Sequence, residues 1–157
     1  TVAGFPQLVG LNLADTAVGD AGLARLAELK QLQGLRLEGT RVTSAGLRYV
    51  SNWTRLTALW IDRTRISDSG LKHLRQVPSL ERLYASETRI TDSGLPYLCD
   101  LPNFKGLQIS GTRVTDAGLR HLYSMKTLVG INVSGTRVTP DGARDLKRAL
   151  PNCRITL

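Results

Sequence analysis

Residues 32–55 read LQGLRLEGTRVTSAGLRYVSNWTR, and the whole chain can be laid over this one stretch. Threonines stand at 16, 40, 64, 88, 112 and 136, and glycines at 22, 46, 70, 94, 118 and 142, each set advancing by 24 residues. A period of this length marks a solenoid, in which each unit buries its apolar side against neighbouring units. Within the stretch, Leu35 and Leu37 alternate as in a strand. Leu47, Val50 and Trp53 then fall on one face of a short helix. Between them Thr43 suits a helix N-cap, as do Ser67, Thr91, Thr115 and Thr139 at the same phase. Pro140 follows the last of these at the first helical position, where its missing N–H does no harm.

Aligned by the period, the apolar residues form columns. Leu8, Leu32, Leu56, Leu80, Phe104 and Leu128 open the units. Leu11, Leu35, Leu59, Leu83, Leu107 and Ile131 follow, then Leu13, Leu37, Ile61, Ala85, Ile109 and Val133. Trp53 shares a column with Leu29, Val77, Leu101 and Met125 and is therefore core. One strand and one helix per unit require parallel strands joined by right-handed crossovers. The expected fold is thus α/β: a right-handed solenoid, arc-shaped, with a parallel sheet on the concave side and short helices on the convex side. The threonine hydroxyls are expected to bond the backbone of adjacent turns as a ladder. Glycine in a first helical turn costs roughly 1 kcal/mol against alanine, so six of them imply a packing reason, a helix held close to the sheet.

The pattern LxxLxLxxT-x-[VI]-[TS]-x-x-GLxxL resembles the leucine-rich repeat, with Thr in place of the Asn usual at the ladder position. The turns from Thr115 to Leu119, Thr91 to Leu95 and Ser67 to Leu71 are similar to those of the ribonuclease-inhibitor-like and cysteine-containing subclasses. They are especially similar to the 24-residue repeats of large bacterial families, planctomycete ones among them, whose C-terminal close the stretch Ala149–Ile155 also resembles. The resemblance implies the same solenoid and a binding role.

The expected organisation is one domain over 1–157. A partial repeat (1–7) precedes six full ones (8–31, 32–55, 56–79, 80–103, 104–127 and 128–151), and a terminal strand (152–157) follows. Thr1–Pro6 align with Arg25–Lys30, which puts Val2 and Phe5 in core positions of a helix whose beginning is missing. A fragment of a longer protein is therefore expected, and a spacer role within such a protein is one functional alternative.

The composition narrows the function further. Lys and Arg outnumber Asp and Glu by 21 to 13, a net charge of +8 that suits an acidic partner. No apolar run approaches the roughly 20 residues of a membrane span. Cys99 and Cys153 occupy different phases more than two repeats apart, too far for a disulfide. Unpaired thiols favour a reducing, cytoplasmic setting. No catalytic, cofactor or metal site is expected: His73 and His121 sit two repeats apart, and Ser86, Ser110 and Ser134 share no column with a histidine.

What remains is a binding surface. Strand residues not pointing inward face the concave side, where Arg36, Trp60, Tyr84 and Gln108 form one column, Arg82 lies in the preceding one, and Glu38 and Asp62 in the next. Arg63 and Glu87 adjoin them. Trp, Tyr and Arg are enriched in binding hot spots, so a protein or peptide is expected to bind at Arg36, Glu38, Trp60, Asp62, Arg63, Arg82, Tyr84, Glu87 and Gln108. The competing reading is that Arg36 and Arg63 form an ion-pair network with Glu38 and Asp62 that merely covers the sheet. A second candidate is the turn column Arg41, Arg65, Arg89, Arg113 and Arg137, a cationic stripe suited to a polyanion. Against it, Asp68, Asp92 and Asp116 lie near enough in sequence to neutralise it. Basic residues without interleaved aromatics argue against nucleic acid as the partner.

Overall fold

The computed structural model describes residues 4–157. Seven parallel three-residue strands form one open sheet in sequential order: β1 (Gly10–Asn12), β2 (Gly34–Arg36), β3 (Ala58–Trp60), β4 (Arg82–Tyr84), β5 (Gly106–Gln108), β6 (Gly130–Asn132) and β7 (Arg154–Thr156). The register is the sequence period itself, Leu11 opposite Leu35, Leu35 opposite Leu59, and onward to Ile131 opposite Ile155. Pairing continues past each strand. Leu37 N–H donates to the Trp60 carbonyl at 2.8 Å, and Gly39 N–H to that of Asp62 at 2.9 Å.

The return segments are short helices: α1 (Asp20–Leu26), α2 (Asp68–Leu71), α3 (Asp116–His121) and α4 (Pro140–Ala149). The repeats between α1 and α2 and between α2 and α3 use 3₁₀ segments instead, Gly46–Asn52 and Asp92–Leu98. The tighter 3₁₀ winding suits runs of only a few residues, and Pro96 within Asp92–Leu98 adds its own limit on α-helical bonding. The apolar columns lie between sheet and helices as one continuous core, with Trp53 fully buried and its indole N–H donating to the Leu26 carbonyl at 3.0 Å. The first repeat packs less completely, and Leu8, Leu11 and Leu13 are only half-buried. Val2 lies outside the described residues. Phe5 is 65% exposed rather than in the expected core position.

Two devices differ from expectation. The threonine hydroxyls do not bridge adjacent turns. Each donates within its own repeat to the carbonyl three residues back, from Thr16 to Leu13 at 2.7 Å through Thr136 to Val133 at 2.6 Å. Each thus closes its own strand-to-turn corner. At this corner, aspartates make bonds from one repeat to the next. Asp20, Asp68, Asp92 and Asp116 each accept from the backbone N–H and the hydroxyl of the threonine opening the next helix: Thr43, Thr91, Thr115 and Thr139, at 2.6–2.8 Å. Four of the six column glycines follow from this, while Gly22 abuts Val18, and Gly70 abuts Ile66 and Leu47. A Cβ at Gly46, Gly94, Gly118 or Gly142 would meet the preceding repeat's aspartate oxygen at 2.0–2.5 Å. The carboxylate, more than the sheet, requires these positions to be bare.

Candidate functional site

The strands set every side chain of the concave face in a grid, one step per repeat. Arg36, Trp60, Tyr84 and Gln108 are direct cross-strand neighbours on β2 to β5. The Trp60 and Tyr84 rings stack with centroids 4.8 Å apart and planes 4° from parallel. On the other side of Trp60 the Arg36 guanidinium lies 5.6 Å from the ring centroid, within cation–π range. Parallel strands in register put like positions side by side, so a flat cation and two flat rings pile along the sheet.

Glu38 holds this pile in place. It is 7% exposed, and its Oε1 accepts from both Nε and Nη2 of Arg36, while Oε2 is buried without a partner. The hydrogen bonds to Glu38 and then its charge raise the guanidinium's pKa further, and those same bonds hold the cation beside Trp60. Asp62 accepts from the Ser86 N–H at 2.9 Å. The expected four-residue ion-pair network is therefore divided: Arg63 turns away from Glu38 and Asp62 and pairs with Asp15 at 3.1 Å, across the bare Gly39.

Arg63 and Glu87 belong to a column (15, 39, 63, 87, 111, 135) in which every residue has φ between 54° and 67°. Gly39, Gly111 and Gly135 suit this left-handed backbone, whereas Asp15, Arg63 and Glu87 adopt it at a steric cost. Both members from the centre of the array, Arg63 and Glu87, project exposed charge at the rim of the aromatic stack.

Beyond Tyr84 the face falls away into a trough of about 580 Å³, bounded by Arg82 and Tyr84 on one side and Arg154 and Thr156 on the other. Gly106 and Gly130 form its floor, with Gln108 and Asn132 above and Val129 and Lys105 below. Lys105 is paired with Glu81 at 3.0 Å. Arg82 and Arg154 are both exposed and make no ion pair among the described residues. Sequence reasoning placed Arg82 in its column but missed Arg154. The signal was there, since 154 is the next 24-residue step after Gly130 in the same column.

The turn arginines Arg41, Arg65, Arg89, Arg113 and Arg137 are all exposed, and none forms an ion pair among the described residues. The aspartates that could neutralise them, Asp68, Asp92 and Asp116, are engaged with threonines. Isolated parallel bridges such as Ser67 to Arg89 and Thr115 to Arg137 hold the column in register.

Elsewhere the polar groups are occupied. Ser110 donates to Ser86 at 2.8 Å and Ser134 to Asn132 at 2.7 Å. Burial lowers the pKa of His73, helped by Lys72 and Arg48, and burial raises the thiol pKa of Cys99 and Cys153, both of which are free. Among the described residues no three His, Cys, Asp or Glu side chains converge as metal ligands, and no helix is long and apolar enough to cross a membrane.

No family model matches the sequence, and no curated protein matches it. Solved structures do. An internalin C2 from Listeria monocytogenes is 25% identical with a TM-score of 0.73, the match covering 85% of this chain and 54% of that one. An internalin F from the same organism is 20% identical with a TM-score of 0.72, over 99% of this chain and 49% of that one. The chain thus spans about half the length of these internalins.

Proposed function

We propose that this leucine-rich-repeat protein is a non-catalytic interaction module that binds a protein or peptide on its concave sheet face, centred on Trp60 and Tyr84. The observation that carries the reading is the Arg36–Trp60–Tyr84 pile, a rigid, partly exposed aromatic surface flanked by small residues. Stacked aromatics offer large contact area with little side-chain entropy to lose. Arg82 and Gln108 border the pile on the sheet, Arg63 and Glu87 supply charge at its rim, and Glu38 and Asp62 act as supports. The likeness to the internalins, in fold and at a quarter of aligned positions, agrees with a binding scaffold. The test is a display library of random peptides selected on the immobilised wild-type chain. Selected peptides should lose at least about a hundredfold in affinity on the Trp60→Ala/Tyr84→Ala double variant, the range expected of two hot-spot aromatics, with its circular dichroism unchanged. Undiminished binding would move the site off the aromatic pile.

One observation favours a second reading, a polyanion bound along the turn arginines: five exposed guanidinium groups in register without carboxylate partners. Affinity for inorganic polyphosphate should then fall steeply with salt. It should vanish when Arg65, Arg89 and Arg113 are reversed to Glu together. Salt-insensitive binding would exclude this mode.

A further inference from the structure

We infer that the trough over β4–β7 seats an acidic peptide segment running across the strands, with one carboxylate on Arg82, a second on Arg154, and an apolar side chain between them on the glycine floor. The inference rests on the reading of the sheet face as a peptide-binding surface and names what one part of it takes.

Charge complementarity supports it. Other cations near the sheet face have carboxylate partners: Arg36 has Glu38, Arg63 has Asp15 and Lys105 has Glu81. Arg82 and Arg154 have none, and no acidic side chain lines the trough. A carboxylate delivered here meets two free guanidinium groups and no competing anion, and the +8 net charge favours its approach.

Spacing selects the ligand. Arg82, Gly106, Gly130 and Arg154 are successive partners in one column, so three strand steps of about 4.8 Å set the arginine backbones roughly 14 Å apart. Four residues of extended peptide span about 13–14 Å, and their even separation turns both ends, and the residue midway, to the same side. Acidic residues at positions i and i+4 therefore match the two arginines, and position i+2 faces the floor. That floor has room. A Cβ at Gly130 would have only the Arg154 carbonyl within 4 Å, at 3.9 Å, whereas at Gly106 the stem of Arg82 already lies 3.5 Å away. Beside the opening stand Val129, 60% exposed, and the Tyr84 face turned away from Trp60. The Asn132 amide donates to Oε1 of Gln108 at 3.4 Å, which leaves the Gln108 amide N–H groups to meet a peptide carbonyl. The N–H and C=O groups of β4–β6 are paired on both sides within the sheet, so over these strands side chains alone can hold the peptide.

The probe is a capped nine-residue peptide with glutamate at its third and seventh positions, phenylalanine at its fifth and serine elsewhere, titrated by calorimetry into the full chain at low salt. Saturable binding is expected, weakened about tenfold by Arg82→Gln or Arg154→Gln, as for loss of one charge-assisted pair. It should weaken similarly when the two glutamates are moved to adjacent even positions, and disappear with Gly130→Leu, which fills the floor. Arg120→Gln, the same loss of one exposed charge but on α3 and outside the trough, should leave it unchanged. Circular dichroism and thermal midpoints check that each variant folds. Absence of saturable binding to the wild type at millimolar peptide overturns the proposal, as does binding indifferent to Arg82, Arg154 and Gly130. If such indifferent binding still falls with Trp60→Ala, the trough fails as the seat and the sheet-face reading survives. Indifference to Trp60→Ala as well removes both.

Discussion

The left-handed position recurring in each repeat shows what single residues give up for the surface. Gly39, Gly111 and Gly135 occupy it without strain, whereas Arg63 and Glu87 occupy it at the centre of the array. A left-handed backbone costs a residue with a Cβ about 1–2 kcal/mol, partly offset by the entropy a glycine would add to the unfolded chain. Glu87→Gly is therefore expected to stabilise the chain by about 0.5–1 kcal/mol in chemical denaturation, net of that entropy. His73 adds a pH effect of known sign. Its pKa is lowered in the fold by burial and by Lys72 and Arg48, so the unfolded chain binds its proton more readily. Its contribution is complete above the ordinary histidine value of about 6.5 and is lost as pH falls below it. In denaturation curves at successive pH values, His73→Gln should flatten that decline. At this scale the sequence was least legible. It placed Glu38 on the face with Trp60, but not its burial beneath Arg36, because alternation gives a side chain's side and not what lies over it. The direction of the threonine hydroxyls was equally hidden, since a bond within a repeat and one to the next repeat carry the same period.

Between elements, the joints are made by the aspartate column. Asp92→Ala should cost about 2 kcal/mol, because the Thr115 N–H and hydroxyl lose a charged acceptor together. Gly118→Ala should destabilise as well, since its Cβ would meet the same carboxylate at 2.3 Å. One joint is weaker by composition. Ser44 stands at the phase where Asp20, Asp68, Asp92 and Asp116 stand in four other repeats, and its hydroxyl is 3.0 Å from that of Ser67 and accepts from the Ser67 N–H at 2.9 Å. Replacing a neutral acceptor with a charged one strengthens such bonds by about 1 kcal/mol. Ser44→Asp is thus expected to raise the thermal midpoint by about 2–4 °C. Strands, columns and the helix starts at Ser67, Thr91, Thr115 and Thr139 were readable because propensity and period agreed, whereas the second repeat's 3₁₀ segment begins at Gly46, past the expected cap Thr43. The alternation of α and 3₁₀ segments was not readable, since one apolar spacing serves both in runs this short.

For the whole molecule, stability is a sum over neighbouring repeats. Inner repeats are packed on both sides, whereas Leu8, Leu11 and Leu13 stay half-buried. Amide exchange should therefore be slowest at Leu59, Leu83 and Leu107. Leu11 should exchange at least about a hundredfold faster, its opening being local rather than global. Uniform protection along the sheet would show an all-or-none array instead. The long-range architecture was the most legible level of all, because a one-dimensional stack has no topology left to choose once the period is known.

The aspartate–threonine joint also bears on how such a chain can change over generations. Donor and acceptor stand 23 residues apart in every charged joint, and the units 80–103 and 104–127 each carry an aspartate acceptor for the next unit and threonine donors for the last. Unequal crossing-over between two like units, which duplicates or removes 24 residues, reconstitutes an intact joint at the seam. The exchange moves Trp60 and Tyr84 apart, together or out of the chain without disturbing the scaffold beneath them. Recognition in this protein can thus be shuffled in whole steps, each new arrangement of the face arriving already folded.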